Sequence, residues 1–541
     1  MQQEHLISKG RLSLAVTNGA AHGVSFGGVE ILRGLSAPVR DSQWGTYPIV
    51  VEHEAREASS YHCTFSHPER LFSGEIHIDL AAEHRCTAGF SLTFAAAAEI
   101  NRAGFCLLHP IKGLRGSPMT VLHSNGTEEQ ASFPEHISPD QPAKDIVALT
   151  YRVGAVTLHI SMDGEVFEME DQRNWSDASF KTYCRPLSAP KPFRVAAGET
   201  LRQSVVLDIV DVADFNAGAI KPITTQAAMP QIVLAYQPDL CSPQALEYFR
   251  DIPILARVTS GTQQDVLAQL AERSDVALEI VFDYVSDIHA IAERCASAGL
   301  RPARVAALPA AYLKSYQPEG PWPEGPHPDD ALPALRQAFP GIPAGGGSFT
   351  NFTEFNRCPP SQDADFLTFG NTAIVHAADN VSVMQTLEAL PDLFASAQAL
   401  RAGKPLHLGL YSIGMRSNPY GVDVLSNPEG EAMPMVRRDK RQSTAFAAAY
   451  AIAVVAEAAR AGVKSLALAM PDGDLGARGN PIGDVIEALA PHAGTPVSVT
   501  IEDGFYTLAV GQLELVANLS PILRQIEGLS PGSFRIVERT R

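Results

Sequence analysis

The 541-residue chain is poor in the features that usually betray a function. Its seven cysteines (Cys63, Cys86, Cys106, Cys184, Cys241, Cys295 and Cys358) are scattered, odd in number and free of CxxC spacing. That pattern argues against a disulfide framework or a zinc knuckle and favours a reducing, cytoplasmic setting. Long apolar runs are missing too. The most apolar helical stretch, Thr444 to Ala456, falls short of the roughly 20 residues that span a bilayer. The opening MQQEHLISKGRLSL has no cationic stretch leading into an apolar one, so no secretory signal is expected. Positive charge is scarce: 42 Lys and Arg stand against 60 Asp and Glu, a formal charge of −18. Such a field repels phosphate backbones and anionic lipid, which makes nucleic acid and membranes poor partners.

Chemical motifs are equally sparse. The 16 histidines form no HxH, HExxH or Cys/His cluster, so no metal is expected. No strand-to-helix turn carries GxSxG, which removes the usual serine hydrolase. Gly345, Gly346 and Gly347 lack GxGxxG spacing and a following Lys or helix, so a nucleotide cradle is not expected and no cofactor is implied.

What is present is ordinary globular material: 45% apolar and 19% charged residues, with 41 Gly and 39 Pro. At roughly 100 to 200 residues per domain, the length calls for several cores. From Gly10 to about Val212 the text consists of short β-branched or aromatic segments such as SGEIHIDL, AVTLHISMDG and RQSVVLDIVD, broken by Gly, Pro, Asn and Asp. This spacing predicts an antiparallel β-sandwich over 1–215. The segment ADFNAGAIKPITTQAAMPQ reads as a linker.

From 230 to 490, apolar runs alternate with amphipathic helices. Eight strands are expected, at QIVLAYQ, IPILARV, ALEIVFD, RVAALPA, IPAGGGSF, DFLTFGN, LHLGLYS and SLALAMP. Thr262 with Asp265 and Ser382 with Gln385 resemble capping boxes, and Pro391 restarts a helix. Eight such units predict a central (β/α)8 TIM barrel. Beyond 491, PVSVTI, FYTLAV, LELVANL and SFRIVE predict a small C-terminal β domain over 491–541, turning at Asp503-Gly504 and Pro531-Gly532. The fold class is therefore multidomain.

In a barrel, chemistry sits at the carboxyl ends of the strands. Those ends supply Tyr236, Arg257, Asp283, Tyr312, Asn351 with Glu354, Asn371 with His376 and Asp379, and Asp472 with Asp474. Glu354, in the polar loop SFTNFTEFNR, is the preferred general base; its alternative is a loop or helix-capping residue. His376 is a candidate acid or base oriented by Asp379, unless Asp379 or Asn380 caps the next helix and His376 is a buried neutral hydrogen-bonder. The seventh loop is the longest, and loops beyond about 15 residues in a compact domain are usually lids or binding segments. Asp439 and Arg441 close it, Arg441 as a candidate clamp and Asp439 as a substrate contact or a helix cap. The segment from Phe167 to Tyr183 is dense in chemistry: Trp175 offers a sugar-stacking face, while Asp171, Arg173, Asn174 and Lys181 can bond hydroxyls. The same crowding also suits a salt-bridge network between domains.

A retaining glycosidase needs two carboxylates about 5 to 5.5 Å apart. Strand four ends in LPAAYLKSY and strand seven in LYSIGMRS, and neither offers an Asp or Glu at its tip. The motif EMEDQRNWSDASFKTYCRPL, with GFCLLHP at 104, VHAADNVSVMQTLEAL at 375 and RDKRQSTAFAAAYA at 438, resembles the D-apionate lactonase family. The resemblance implies an N-terminal β domain, a glycosidase-like barrel, a C-terminal β domain, and hydrolysis of D-apionolactone to D-apionate in branched-pentose (apiose) catabolism. The site residues come from the strand-end argument alone. Opening a cyclic ester needs a base for water and donors at the developing oxyanion. Glu354 or Asp283 would serve as base, Arg441, Arg257 or Lys181 as donor, and His376 as the acid for the leaving alkoxide. A glycoside hydrolase and a non-catalytic carbohydrate binder stand as alternatives.

Overall fold

The computed structural model describes residues 5–213 and 222–538. They fall into two compact units, and the division is not a single cut. One unit takes the chain to Gln172 and resumes at Ser179; the other holds Arg173–Ala178 together with the described residues from 222 onwards.

The first unit is β throughout, as its period-two sequence requires. Leu12–Thr17 alternates buried and half-buried residues, and in Thr200–Val212 the side chains of Gln203, Val205, Leu207 and Ile209 point inward one residue apart. The strands pair antiparallel in a sixteen-stranded sheet, with a second sheet of Val39–Asp41, Ala98–Ala103 and Phe193–Val195. His109, on the strand Cys106–Pro110 of the larger sheet, has no exposed surface. Its Nδ1 shares a hydrogen bond of 2.8 Å with the Tyr151 hydroxyl and its Nε2 one of 2.8 Å with Thr182 Oγ1. Burial pushes its pKa down to about 3.

In the second unit nine strands form a parallel sheet: β1 (Gln231–Tyr236), β2 (Ile254–Val258), β3 (Val276–Phe282), β4 (Arg304–Pro309), β5 (Ala344–Gly347), β6 (Leu367–Thr368), β7 (Asn371–Thr372), β8 (His407–Ser412) and β9 (Ser465–Ala467). The order is β6-β5-β4-β3-β2-β1-β9-β8-β7. Every residue of β3 is buried, as in strands covered on both faces. The glycine run on β5 is explained by close packing. At Gly347, with φ 148°, a Cβ would lie 1.9 Å from the Thr368 carbonyl oxygen.

The helix Ala445–Arg460 is buried from Phe446 to Ala459. It packs against Pro481–Leu489 on one side and the C-terminal antiparallel sheet on another, which accounts for its apolar surface all round. That sheet contains Pro496–Glu502, Phe505–Val510, Leu513–Asn518 and Ser533–Glu538, and its first hairpin turns through Asp503 and Gly504 at φ 47° and 79°. A fifth strand, Ile223–Ala228, corrects the linker expectation. It pairs antiparallel with Pro496–Glu502, whose edge would otherwise be bare, and its Thr and Ile residues suit that role. The rest of that linker, 214–221, lies outside the described residues.

Neither expected capping box forms. Thr262 Oγ1 accepts from the Thr259 amide in a turn, and the helix Asn380–Gln385 is capped by Asp379, which takes the Ser382 amide at 2.9 Å. An Asp carboxylate at the N-cap reaches the N3 amide directly and leaves Ser382 inside the first turn. Among the described residues no helix is long and apolar enough to cross a membrane.

The His109 pKa makes stability depend on pH with a definite sign. The unfolded imidazole protonates near 6.5 and the folded one near 3, so its contribution is present above about 6.5 and is lost as pH falls toward 3. The loss amounts to about 1.4 kcal/mol per pH unit. Denaturant titrations of the wild type and His109→Gln from pH 4 to 8 check this: the variant is expected to lack that increment of slope, and equal slopes refute it.

Candidate active site

The segment Arg173–Ala178 is held in the second unit by its own side chains. Arg173, fully buried, donates from Nη1 to Asp392 Oδ2 at 2.8 Å, and Asp392 is 3% exposed. Thr353 Oγ1 donates to the Asn174 carbonyl at 2.7 Å, and Asn356 Nδ2 to Asn174 Oδ1 at 2.9 Å. Ser176, at φ 62°, reaches the Thr372 carbonyl with its hydroxyl. This anchoring brings Asp177 to His376, where Oδ2 and Nδ1 are 2.6 Å apart. Trp175 stands edge-on to the His376 ring at 5.3 Å, and the Arg357 guanidinium lies 5.4 Å over the Trp175 ring.

Glu354 sits at the third position of the helix Phe352–Arg357, where Asn351 is the N-cap. Its Oε2 accepts from Thr350 Oγ1 at 2.9 Å and from the Asn351 amide at 3.0 Å. Its Oε1 is buried with no hydrogen bond of full geometry, although the Ser315 hydroxyl lies close enough to the carboxyl to act on it. Burial raises the Glu354 pKa, opposed by the Ser315 and Thr350 hydroxyls, the Asn351 amide and the Arg357 charge. The residue lines a cleft together with Arg357, Ser348 and an aromatic wall of Tyr312, Tyr316 and Trp322. Tyr312 and Trp322 stack at 5.9 Å and 13°. Lys314, also on this cleft, spends its ammonium on the carbonyls of Asn418, Gly421 and Val422, which ties down the long loop after β8. Tyr420 of that loop accepts from Asn351 Nδ2 at 3.0 Å.

A second cleft lies along the tips of β5, β7 and β8 and is lined by Thr350, Asn351, Asn371, Thr372, Ser412 and Arg416, among others. Behind it Glu279, 2% exposed in mid-β3, receives two guanidiniums on Oε2: Arg257 Nε at 3.0 Å and Arg416 Nη1 at 2.7 Å. Arg257 also donates from Nη2 to the Phe349 carbonyl at 2.6 Å.

The remaining residues proposed from the sequence are placed as follows. Asp283 is exposed at the end of β3, its amide bonded to Asp287. Arg441 is paired with Asp439, Nη2 to Oδ2 at 2.6 Å, and with Asn380, so its charge is already met. Asp439 also accepts the Arg441 amide as a cap. Asp379 is an exposed helix cap, and the carboxylate on His376 is Asp177. Asp472 accepts from Ser242, and Tyr236 is buried, its carbonyl accepting from Arg416. Within the first unit, Asp171 accepts the Ser138 amide and Lys181 is paired with Glu170. Glu354 and Asn351 are thus brought together, and Trp175 with His376. Glu279 and Arg416 were missed. The signal for Glu279 is a lone acid inside the apolar run VALEIVF, which cannot be buried without a cation.

Residues 251–496 match the family model described as D-apionate lactonase, TIM barrel domain, and residues 1–212 match D-apionate lactonase, N-terminal domain. A D-apionate lactonase of Brucella anthropi is 36% identical over 508 residues, covering 87% of this chain and 83% of its own. Among solved structures, a GH36 alpha-galactosidase of Geobacillus stearothermophilus is 7% identical, covering 95% of this chain and 91% of its own at TM-score 0.28. A putative dihydrodipicolinate synthetase of Pseudomonas aeruginosa is 12% identical, covering 49% and 79% at TM-score 0.24. Both scores are too low to support a fold argument.

Removing one partner of a buried ion pair takes away the counter-charge that offsets the other's desolvation, at a cost of about 3 to 5 kcal/mol. Arg173→Met is therefore expected to lower unfolding stability by that amount, and Trp175→Ala by less, since Trp175 is only half-buried. Equal losses in urea denaturation would contradict the anchoring role of Arg173.

Proposed function

The chain belongs to the D-apionate lactonase family, and from that premise we propose that it hydrolyses a sugar-acid lactone, D-apionolactone, to D-apionate. The observation that carries the reading at the level of chemistry is Glu354: a buried carboxyl with a raised pKa and one oxygen without a hydrogen bond of full geometry, on a cleft with an aromatic wall and a guanidinium. On this reading Glu354 Oε1 takes a proton from water as the water attacks the acyl carbon. Positive charge on Arg357 meets the carbonyl oxygen as it becomes an oxyanion, an effect worth about 10² to 10³-fold per preorganised donor. The proton that Glu354 has taken then passes to the ring oxygen as the acyl–oxygen bond breaks; His376, expected from the sequence as the acid, is paired with Asp177 and lines neither cleft. Tyr312 and Trp322 offer flat faces to the sugar carbons. Glu354 is the sole carboxylate on the cleft among the described residues, which suits an ester and leaves a two-carboxylate glycosidase without its second group.

The same reading takes in the architecture. We take the first unit as a β-sandwich over 1–215 and the parallel sheet as a (β/α)8 barrel within 230–490. In support, the sheet path begins at β6 and ends at β7, which are separated in the chain only by Phe369 and Gly370. The region 491–541 is the small β domain, joined by the strand Ile223–Ala228. Cytoplasmic residence belongs to the reading as well, supported by seven cysteines that are all free thiols.

A pH-indicator assay over a panel of aldonolactones tests the activity, with acid release from D-apionolactone expected and its absence fatal. Glu354→Gln is expected to cut kcat by about 10² to 10⁴-fold with the fold retained. Because only the ionised base works, the wild-type rate falls as pH drops through the Glu354 pKa. That limb is expected above the ordinary carboxylate value of 4.5 and absent from the residual activity of the variant. A near-normal rate in Glu354→Gln removes it as the base.

A further inference from the structure

The geometry points to a second role for the cleft over β5, β7 and β8: we infer that it binds the carboxylate of the ring-opened acid through Arg416. The inference rests on the lactonase reading for the identity of the anion, while the case for an anion is independent of it. Glu279 carries one negative charge and faces two guanidiniums, so the buried cluster keeps one net positive charge. Arg257 is screened from the cleft by its bonds to Glu279 and the Phe349 carbonyl. Arg416 lines the cleft, is 8% exposed, and has five N–H groups. Three are used, on Glu279 Oε2, Gln237 Oε1 and the Tyr236 carbonyl, which leaves two for a ligand.

The surroundings add donors and no competing acid. Asn351, Asn371, Thr350, Thr372, Ser412 and Ser417 share the cleft, and among the described residues no Asp or Glu lines it. Arg437 donates to the Arg416 carbonyl at 3.0 Å and has no carboxylate partner among the described residues, adding to the positive field. A buried excess cation is costly unless an anion meets it, and a planar guanidinium suits a planar carboxylate. A lactone is neutral and its hydrolysis product is anionic, so such a site favours product over substrate. The cleft also adjoins the proposed base. Thr350 and the Asn351 amide, both at its rim, hold Glu354 Oε2. Carboxylate bound there is one hydrogen bond away from the group that activates water, and product inhibition follows.

Titration calorimetry with sodium D-erythronate, a small aldonate, tests the inference, with erythritol as the neutral control. The wild type is expected to bind erythronate at least tenfold more tightly than erythritol, with affinity falling as salt rises. Arg416→Met leaves the balanced Arg257–Glu279 pair in place, so it is expected to fold and to lose erythronate binding at least tenfold, while Arg416→Lys keeps part of it. Unchanged affinity in Arg416→Met, or erythritol binding as tightly as erythronate, overturns the inference. Lactone hydrolysis measured on the same preparations separates the two ideas. Activity without erythronate binding sinks only the anion site, and erythronate binding without lactone opening sinks only the lactonase reading.

Discussion

The second unit is organised around a carboxylate that cannot be left alone. Glu279 lies in mid-β3 with both faces of its strand covered, and a buried charge of this kind persists only when cations and hydrogen bonds replace its lost hydration. Arg257 from β2 and Arg416 from the loop after β8 supply them, and Arg257 extends the chain of contacts to the Phe349 carbonyl beyond β5. One side chain therefore sets the spacing of three strand ends and the start of the long loop. The two clefts open where those elements meet.

The residues proposed for the chemistry lie along one short rim. Residues 347–351, running out of β5, line one cleft with Gly347 and Ser348 and the other with Phe349, Thr350 and Asn351. Glu354 follows on the helix that Asn351 caps, and the helix geometry turns one carboxyl oxygen toward the backbone while leaving the other without a hydrogen bond of full geometry. The segment Arg173–Ala178 contributes Asp177 to His376 and Trp175 to Arg357. A buried ion pair at Arg173 and two bonds at Asn174 hold that segment in place.

Much of this was legible in the sequence where local pattern decides. Strands lie at all eight runs identified beyond residue 230, because continuous apolar runs bounded by Gly, Pro and Asp have few other ways to be buried. Glu354 and Asn351 were recognisable from their crowded, polar, aromatic loop. Local spacing misled at Thr262 and Ser382, where a neighbouring turn and an Asp carboxylate took the amides first. It also misled at 223–228, whose small polar residues resemble a linker until the bare edge of Pro496–Glu502 is there to pair with.

The chain by itself determined the strand runs between 230 and 490, which positions are apolar, and the family to which the protein belongs, since each depends on local residue order. Only the tertiary structure decided the partners: Asp177 rather than Asp379 beside His376, Asp439 on Arg441, and two arginines on Glu279. The physical reason is that the state of a charged side chain is set by desolvation and by whichever opposite charge the fold brings within a few ångströms. In this protein those charges come from positions as much as 219 residues apart, as in the Arg173–Asp392 pair.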